Sequence, residues 1–334
     1  MVSVRPRISI VIPAYNESSG LHELHRRLTS VIDGMSVSAE FVYVNDGSRD
    51  DTLQVIRAIR SRDPRVCLVD LSRNFGKEIA MTAGLDHARG EAVILIDADL
   101  QDPPELIPQL CSRWSEGFDV VYATRVDRSG ESWLKKRTAS LFYRTMERVG
   151  TTAIPRDTGD YRLLSRRAVD AMTQLRERHR FMKGLFSWIG YRQTSVQYVR
   201  DPRFAGETKW NYWRLWNFAI EGFTSFTAAP LKIATYIGIG TAIVAFTYGL
   251  IIISRTLLYG REVPGYASLI VVMLFIGGIQ LVALGMLGEY VSRTFNEVKQ
   301  RPLYFVQHYL PAASSESVEE FPRPQEQHLR RVGD

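Results

Sequence analysis

The sequence predicts an α/β fold, in which a mainly parallel sheet with helices on both faces is followed by an interfacial helix and two transmembrane helices. Three observations support this. Short apolar runs alternate with amphipathic stretches before residue 130, two long runs near the C-terminus carry no formal charge, and an aromatic-rich segment precedes the first of them. Alternating strand and helix signals are typical of parallel sheets covered by helices.

Five short apolar runs are predicted to be the strands. They cover residues 8–12, 41–44, 66–69, 92–96 and 120–123. Between them, apolar residues recur at helical spacing over 21–32 and 53–59. Since ligands of such sheets bind outside the carboxyl ends of the strands, the polar residues that follow each strand are the candidate functional residues.

Two uncharged runs, 233–254 and 263–288, are each long enough to cross a bilayer. The predicted crossings are about 231–254 and 265–290; a buried helical hairpin of a large soluble core is the alternative. Basic residues flank the outer ends of the pair, whereas the link contains only Arg255 and Arg261. Since cytoplasmic segments carry an excess of Lys and Arg, both termini are predicted to be cytoplasmic.

The chain is accordingly divided into four parts. Residues 1–205 are predicted to form a cytoplasmic domain, 206–230 an amphipathic interfacial segment, 231–291 the two crossings and 292–334 a cytoplasmic tail, disordered after about 310. The interfacial segment is rich in Trp, Tyr and Phe, which favour the headgroup region of a bilayer. A core helix of the soluble domain is the alternative for this segment.

The composition excludes some classes of protein. The two cysteines, Cys67 and Cys111, are too few for a disulfide framework and lack the spacing of a zinc or redox site. The chain has 42 Lys and Arg against 36 Asp and Glu, a net charge of +6. Such a charge suits nucleic acid, anionic lipid or phosphorylated substrates, and it does not choose among them.

Two aspartates follow the fourth predicted strand at a spacing of two residues. The side chains of Asp97 and Asp99 should point to the same side, where two carboxylates repel unless a cation lies between them. Hard oxygen ligands with open positions suit Mg²⁺ or Mn²⁺ held against a diphosphate. A solvated turn is the alternative, but Asp46 at a neighbouring strand end favours a site.

Several segments occur in a recognisable order: PAYNE at 13–17, NDGS at 45–48, NFGKE at 74–78 and DADLQDPPE at 97–105. With this order the chain resembles the family 2 inverting glycosyltransferases, which have the Rossmann-like GT-A fold. SRNFGKEIAMTAGL, DTGDYRLLSRRAV and the two crossings make it most similar to polyprenyl-phosphate glycosyltransferases of the bactoprenol glucosyltransferase and dolichol-phosphate mannose synthase type. The resemblance runs from about residue 6 to about 305.

The resemblance implies a role for individual residues. Residues that would cradle the base and ribose of the nucleotide are Pro13, Tyr15, Glu17 and Asp46. Residues that would hold the sugar nucleotide and its divalent cation, Mg²⁺ or Mn²⁺, are Lys77, Asp97, Asp99 and Gln101. Residues that would hold phosphates are Arg125, Arg128, Arg203 and Lys209, the last two in the RFAGETKW loop.

The expected chemistry follows from charge. Cleavage of a sugar from UDP loads negative charge onto the diphosphate, which a divalent cation and Arg125 would stabilise. A phosphate monoester is mostly dianionic at neutral pH and can attack without a general base. Family analogy offers Asp160, and less strongly Asp157, as the carboxylate beside the nucleophile, acting as a base or by positioning. Both could instead cap the helix that follows Ser165.

The sequence therefore predicts a hexosyltransferase of the inner, cytoplasmic membrane. It would transfer a hexose, expected to be glucose, from a UDP-sugar to a polyprenyl phosphate of the undecaprenyl type for glycosylation of the cell envelope. The expected partners are the donor, the acceptor and the lipid bilayer, without nucleic acid, and assembly into a homo-oligomer is left open. A processive polysaccharide synthase and a nonenzymatic subunit that translocates lipid-linked sugars are the alternatives.

Overall fold

The computed structural model describes residues 6–125, 158–178, 180–198, 229–259 and 265–313. The strands in this part of the chain are β1 (Ile8–Ala14), β2 (Ala39–Asn45), β3 (Val66–Leu71), β4 (Ala92–Leu95), β5 (Val120–Arg125), β6 (Thr158–Ser165), β7 (Gln193–Tyr198) and β8 (Val306–Leu310). The helices are α1 (Leu21–Met35), α2 (Thr52–Arg62), α3 (Lys77–His87), α4 (Ile107–Ser115), α5 (Arg166–Gln174), α6 (Met182–Trp188), α7 (Ala229–Tyr259) and α8 (Tyr266–Val298).

The strands form one sheet in the order β7-β5-β6-β4-β1-β2-β3-β8. Strands β4, β1, β2 and β3 are parallel, and β6 runs antiparallel between β4 and β5. The five predicted strands are β1 to β5, so the α/β prediction is confirmed. Because β6 is reversed, its first residues lie at the same edge as the carboxyl ends of its neighbours.

Side chains on the two faces of the sheet pack against different helices. On one face, called the α1 face, Ile10 and Ile12 pack with α1, α2 and α4. On the other, the α3 face, Val11 packs with α3, α5 and α6. Successive strand residues alternate between the faces, which explains why both layers are apolar and fully covered.

Strand β8 comes from the segment that was predicted as a tail. After α8 the chain returns to the sheet, where β8 pairs antiparallel with β3. The Tyr304 hydroxyl donates to Asp86 at 2.7 Å, and the Ser72 amide donates to the Phe305 carbonyl at 3.0 Å. This pairing covers the exposed edge of β3. Disorder was predicted after about residue 310; residues 311–313 are described, and residues 314–334 lie outside the described residues.

Helices α7 and α8 are long and apolar enough to cross a membrane. The candidate spans are Thr235–Leu258 and Val271–Val298, and no part of their most apolar windows is buried within the protein. Large side chains such as Phe246, Leu257 and Phe275 are exposed. An apolar surface of this extent is costly in water, so the alternative of a buried hairpin does not fit. Of the predicted interfacial segment, only residues 229–230 are described.

Candidate active site

The carboxyl edge of the sheet brings together polar residues from four places in the chain. Asp46 follows β2, Asp97 and Asp99 follow β4, and Arg125 ends β5. Asp160 lies near the start of β6, beyond Arg162, which pairs with Leu95 of β4. Antiparallel pairing thus carries Asp160 past the end of β4. A pair of residues more than sixty positions apart, Asp97 and Asp160, becomes adjacent in this way.

The Lys77 ammonium, at the start of α3, connects these two carboxylates. Its Nζ lies 2.7 Å from Asp97 Oδ1 and 2.5 Å from Asp160 Oδ2. Burial opposes the charge of Lys77, but Asp160 and Asp97 outweigh it and raise the pKa of the ammonium above its ordinary value. Lys77 is therefore cationic throughout the physiological range, and it fixes the separation of the two acids.

Of the two carboxylates that contact Lys77, Asp160 is more buried than Asp97, with a side chain 14% exposed. Burial alone would raise its pKa, yet Lys77 and Lys183 hold the pKa of Asp160 well below its ordinary value. Its Oδ1 atom is buried without a hydrogen-bond partner among the described residues. A carboxylate of such low basicity is a poor proton acceptor, which favours a positioning role over that of a base.

The capping alternative for Asp160 is wrong. Asp160 lies inside β6, and the side chain of Ser165 caps α5 by accepting from the Ala168 amide at 3.3 Å. Asp157, the second candidate, lies outside the described residues, as do Arg128, Arg203 and Lys209. Their predicted roles stay predictions.

Asp46 holds the loop that leads into α3. Its two carboxylate oxygens accept from the Phe75 amide at 2.7 Å and the Gly76 amide at 2.9 Å. Burial raises the pKa of Asp46, and the two amides oppose that rise. Because Lys77 follows this loop directly, Asp46 orients the bridging ammonium. The role in ribose binding implied by resemblance stays a prediction.

The first strand ends in the segment that contains Pro13, Tyr15 and Glu17, all three of them half-buried. The Asn16 amide donates to the Ser48 hydroxyl at 3.1 Å, and the Glu17 amide donates to the Thr52 hydroxyl at 2.9 Å. These two hydrogen bonds tie the loops after β1 and β2 together. This places the three predicted donor-binding residues beside Asp46.

The Asp97-Ala98-Asp99 turn is held by a hydrogen bond between the backbone and the Asp99 side chain. The Gln101 amide donates to Asp99 Oδ1 at 3.1 Å, and Leu100 adopts a positive φ of 60°. No group of three or more His, Cys, Asp or Glu able to hold a metal ion occurs among the described residues. Two carboxylates suffice where substrate phosphates complete the coordination of the ion, which is the usual arrangement for Mg²⁺.

Arg125 is positioned by a short hydrogen-bonded chain. Its Nε lies 3.4 Å from the Tyr198 hydroxyl, which in turn donates to the buried Asp102 carboxylate at 2.5 Å. Burial lowers the pKa of Arg125, but Tyr198 and Asp102 outweigh burial and raise that pKa above its ordinary value. The predicted phosphate-binding arginine thus projects from a rigid support.

Comparison with known proteins identifies the family. The profile described as Glycosyl transferase family 2 matches residues 9–173, and that described as GtrB C-terminal hairpin matches residues 229–294. An uncharacterized glycosyltransferase of Synechocystis is 53% identical over 90% of this chain and 94% of its own length. This chain belongs to glycosyl transferase family 2. The family 2 resemblance and the prediction of a glycosyltransferase are confirmed.

Other similar proteins carry more specific names. A prophage bactoprenol glucosyl transferase homolog of Escherichia coli is 46% identical over 90% of this family 2 chain and 98% of its own length. The bactoprenol glucosyl transferase of Shigella phage SfII is 46% identical over 90% and 97%. Glucosyl-3-phosphoglycerate synthase of Mycobacterium tuberculosis, solved with Mn²⁺, UDP and product, has a TM-score of 0.44 at 19% identity, covering 64% of this chain and 76% of that one.

Three charged residues of the family 2 site were missed by the sequence reasoning. Glu78 accepts from the Met182 amide at 3.0 Å and so joins α3 to α6. The Arg162 guanidinium lies 3.8 Å from the centre of the Phe186 ring, and Lys183 influences the pKa of Asp160. Glu78 and Arg162 stand in NFGKE and DTGDYRLLSRRAV, two segments that carry the resemblance, but neither was given a role. Lys183 in FMKGLFSW was visible only as an isolated charge in an apolar stretch. That signal also fits an ordinary surface residue.

Replacing Gly47 by Ala is expected to destabilise the protein and weaken binding of the donor. Gly47 has φ +62°, and a Cβ there would lie 2.3 Å from the Arg73 carbonyl carbon, so the loop held by Asp46 would have to move. We expect a cost of roughly 2 kcal/mol, measured as a lower thermal midpoint in detergent micelles. The control is Gly34→Ala in α1, where no atom lies within 4 Å. Equal stability of the two variants would contradict the prediction.

Replacing Glu78 by Gln is expected to change how stability depends on pH. Burial and the nearby Asp160 raise the pKa of Glu78 to about 7. Because the unfolded chain ionises this group more easily, wild-type protein should lose stability relative to Glu78→Gln as pH rises from about 4.5 to about 7, by roughly 2 kcal/mol. Thermal midpoints between pH 5 and 8 check this, with the exposed Glu91→Gln as control. Parallel pH profiles for wild type and Glu78→Gln would rule it out.

Proposed function

We propose that this family 2 glycosyltransferase transfers glucose from UDP-glucose to a polyprenyl phosphate with inversion, giving a lipid-phosphate-linked sugar. One observation carries the proposal: the Lys77 ammonium contacts both Asp97, on the donor side of the site, and Asp160, the carboxylate that the resemblance puts beside the nucleophile. The bactoprenol glucosyl transferase names of relatives 46% identical to the chain support the choice of sugar and acceptor.

In this proposal Asp97 and Asp99 hold the divalent cation, Mg²⁺ or Mn²⁺, with Gln101 beside them. Their two carboxylates at a strand end fit a site that the donor diphosphate completes. The cation, when bound, neutralises charge on the leaving diphosphate. Arg125 contributes a second positive charge to the same group, supported by Tyr198 and Asp102.

The transfer is a single displacement. A phosphate oxygen of the acceptor attacks the anomeric carbon of glucose, the bond from that carbon to the diphosphate breaks, and UDP leaves with the bonding electrons. A dianionic phosphate monoester carries no proton that must be removed. Asp160 therefore acts by orienting Lys77 and the attacking group, which agrees with its low basicity.

The two apolar helices give the enzyme access to a lipid substrate. Because the acceptor cannot leave the bilayer, anchoring raises the effective concentration of the site relative to the lipid phosphate. We place the catalytic domain and both termini on the cytoplasmic side of the inner membrane, since Lys and Arg flank the outer ends of the helix pair. Cysteine labelling of the 260–264 link in intact cells would test this orientation.

An assay with radiolabelled UDP-glucose and a short-chain polyprenyl phosphate in detergent tests the function. The expected product is an organic-extractable lipid monophosphate carrying one labelled glucose in the β configuration. Polymeric product would favour a processive polysaccharide synthase, and absence of turnover would favour a nonenzymatic subunit. The same assay with a panel of other nucleotide sugars determines the donor.

A further inference from the structure

Helix α6 presents Lys183 to the same face of β6 as Asp160. Phe186, three residues after Lys183 and so on the same side of the helix, packs against Arg162 at 3.8 Å. Arg162 and Asp160 are two residues apart in β6 and so share one face of the sheet. Phe186 contacts Arg162. Lys183, three residues before Phe186 in α6, is therefore placed near Asp160, two residues before Arg162 in β6.

The start of α6 is also fixed to the start of α3. The Met182 amide donates to Glu78 Oε2 at 3.0 Å, and Met182 is buried in the apolar layer of the α3 face. Lys183 follows Met182 and Lys77 precedes Glu78, the two partners of this hydrogen bond. The two lysines therefore flank Asp160 from two different helices. The electrostatic coupling agrees with this placement, since both ammonium groups lower the pKa of Asp160.

Lys183 differs from Lys77 in having no counter-charge in direct contact. Lys77 makes two ion pairs, whereas Lys183 makes none within the part of the chain that the structure describes. Burial lowers the pKa of Lys183, and Asp160 only partly offsets that effect. A half-buried cation with no counter-charge in contact costs free energy, and functional sites are where such a cost is retained because a ligand supplies the missing charge.

Lys183 and Arg125 lie on opposite faces of the sheet. Val121 and Ala123 of β5 belong to the α1 face, so Arg125, two positions further, lies on that face by strand alternation. Arg125 contacts Tyr198, which is buried in the same layer. Lys183 and Asp160 lie on the α3 face. Lys183 is therefore not placed to support the same phosphate oxygens as Arg125.

We propose that Lys183 binds the phosphate of the acceptor and, with Lys77, holds its attacking oxygen beside Asp160. This inference rests on the proposed function and adds a positively charged residue dedicated to the nucleophile. No proton is transferred in this step. The Lys183 ammonium donates hydrogen bonds to the phosphate, and those bonds persist in the phosphodiester product.

The test uses full-length enzyme in detergent with Mn²⁺, UDP-glucose and a short-chain prenyl phosphate. For Lys183→Gln we expect a roughly 10- to 100-fold loss of kcat/KM for the acceptor, because a charged hydrogen bond is lost. The dissociation constant of UDP-glucose should change less than about 3-fold, which separates the acceptor from the donor phosphates as the ligand. Lys183→Arg should recover most of the acceptor kcat/KM, because it restores the charge.

The matched control is Lys299→Gln. Lys299 lies just after α8, where its ammonium contacts the Phe295 ring at 3.8 Å, and its loss should leave both constants unchanged. Weaker binding of UDP-glucose by Lys183→Gln in proportion to the loss of transfer would overturn the inference, as would unaltered transfer. If Lys183→Gln does not fold, Lys183→Arg provides the test. A loss of UDP-glucose affinity in Lys183→Arg as large as its loss of kcat/KM for the acceptor would also overturn the inference. Failure of the wild-type enzyme to glucosylate the prenyl phosphate would instead reject the proposed function.

Discussion

Replacing Asp99 by Asn is expected to lower kcat for glucose transfer by about 10³-fold or more, because a neutral amide binds a divalent cation poorly and leaves the departing diphosphate without its main counter-charge. The change should not disturb the fold. Asn retains the Oδ1 atom that accepts from the Gln101 amide at 3.1 Å, so the turn after β4 keeps its hydrogen bond. Turnover of labelled UDP-glucose, with circular dichroism and the thermal midpoint as folding checks, measures the effect.

A matched control is Asp51→Asn. Asp51 is an exposed aspartate before α2 whose side chain makes no capping hydrogen bond, and its replacement should leave turnover unchanged. Chelation gives an independent readout, since wild-type activity should disappear with EDTA and return with Mg²⁺ or Mn²⁺. Full wild-type activity in excess EDTA would refute the assignment of Asp97 and Asp99 to a cation.

Replacing Asp160 by Asn should lower kcat/KM for the acceptor by about 10²- to 10³-fold, which is the range typical for loss of a positioned charged group. Removal of its charge breaks the ion pair with Lys77 and removes the negative charge that acts on Lys183 without contact. Lys77 would retain only Asp97, 2.7 Å away, and would no longer be held between the two halves of the site. Rate measurements with the acceptor varied at saturating UDP-glucose provide the test.

The pH profile distinguishes a positioning role from that of a base. The pKa of Asp160 lies well below its ordinary value because Lys77 and Lys183 outweigh its burial, so Asp160 should not titrate between pH 5 and 9. The acid limb of kcat/KM should follow the second ionisation of the acceptor phosphate, near pH 6, and should persist in Asp160→Asn. The variant Glu78→Gln removes a second group that titrates near neutrality. Disappearance of the acid limb in Asp160→Asn alone would indicate a base.

The order of the strands along the chain was predictable because local pattern determines each of them. Runs such as 8–12 and 92–96 are apolar throughout, as strands covered on both faces must be. The position of Asp97 and Asp99 at the carboxyl edge follows from parallel topology alone. The apolar character of α7 and α8 was equally clear, since two uncharged runs exceed the length of a bilayer crossing.

Strand β8 could not be predicted from its own residues. Val306–Leu310 is short and weakly alternating, and its partner β3 lies far away in sequence. The pairing of Asp97 with Asp160 through Lys77 has the same origin, because it depends on β6 running antiparallel beside β4. Neither contact has a signature in local periodicity or spacing.

The amino-acid sequence by itself determined the α/β class, the two apolar helices and the residues available for a cation and a diphosphate, because local burial and charge dictate each of these. The tertiary structure alone decided which charges meet. Reversal of β6 brings Asp160 to Lys77, and docking of α6 against Glu78 brings Lys183 into the same cluster. Electrostatic interaction energies fall with distance and with dielectric screening. The properties of these groups therefore depend on contacts between segments that only the folded chain creates.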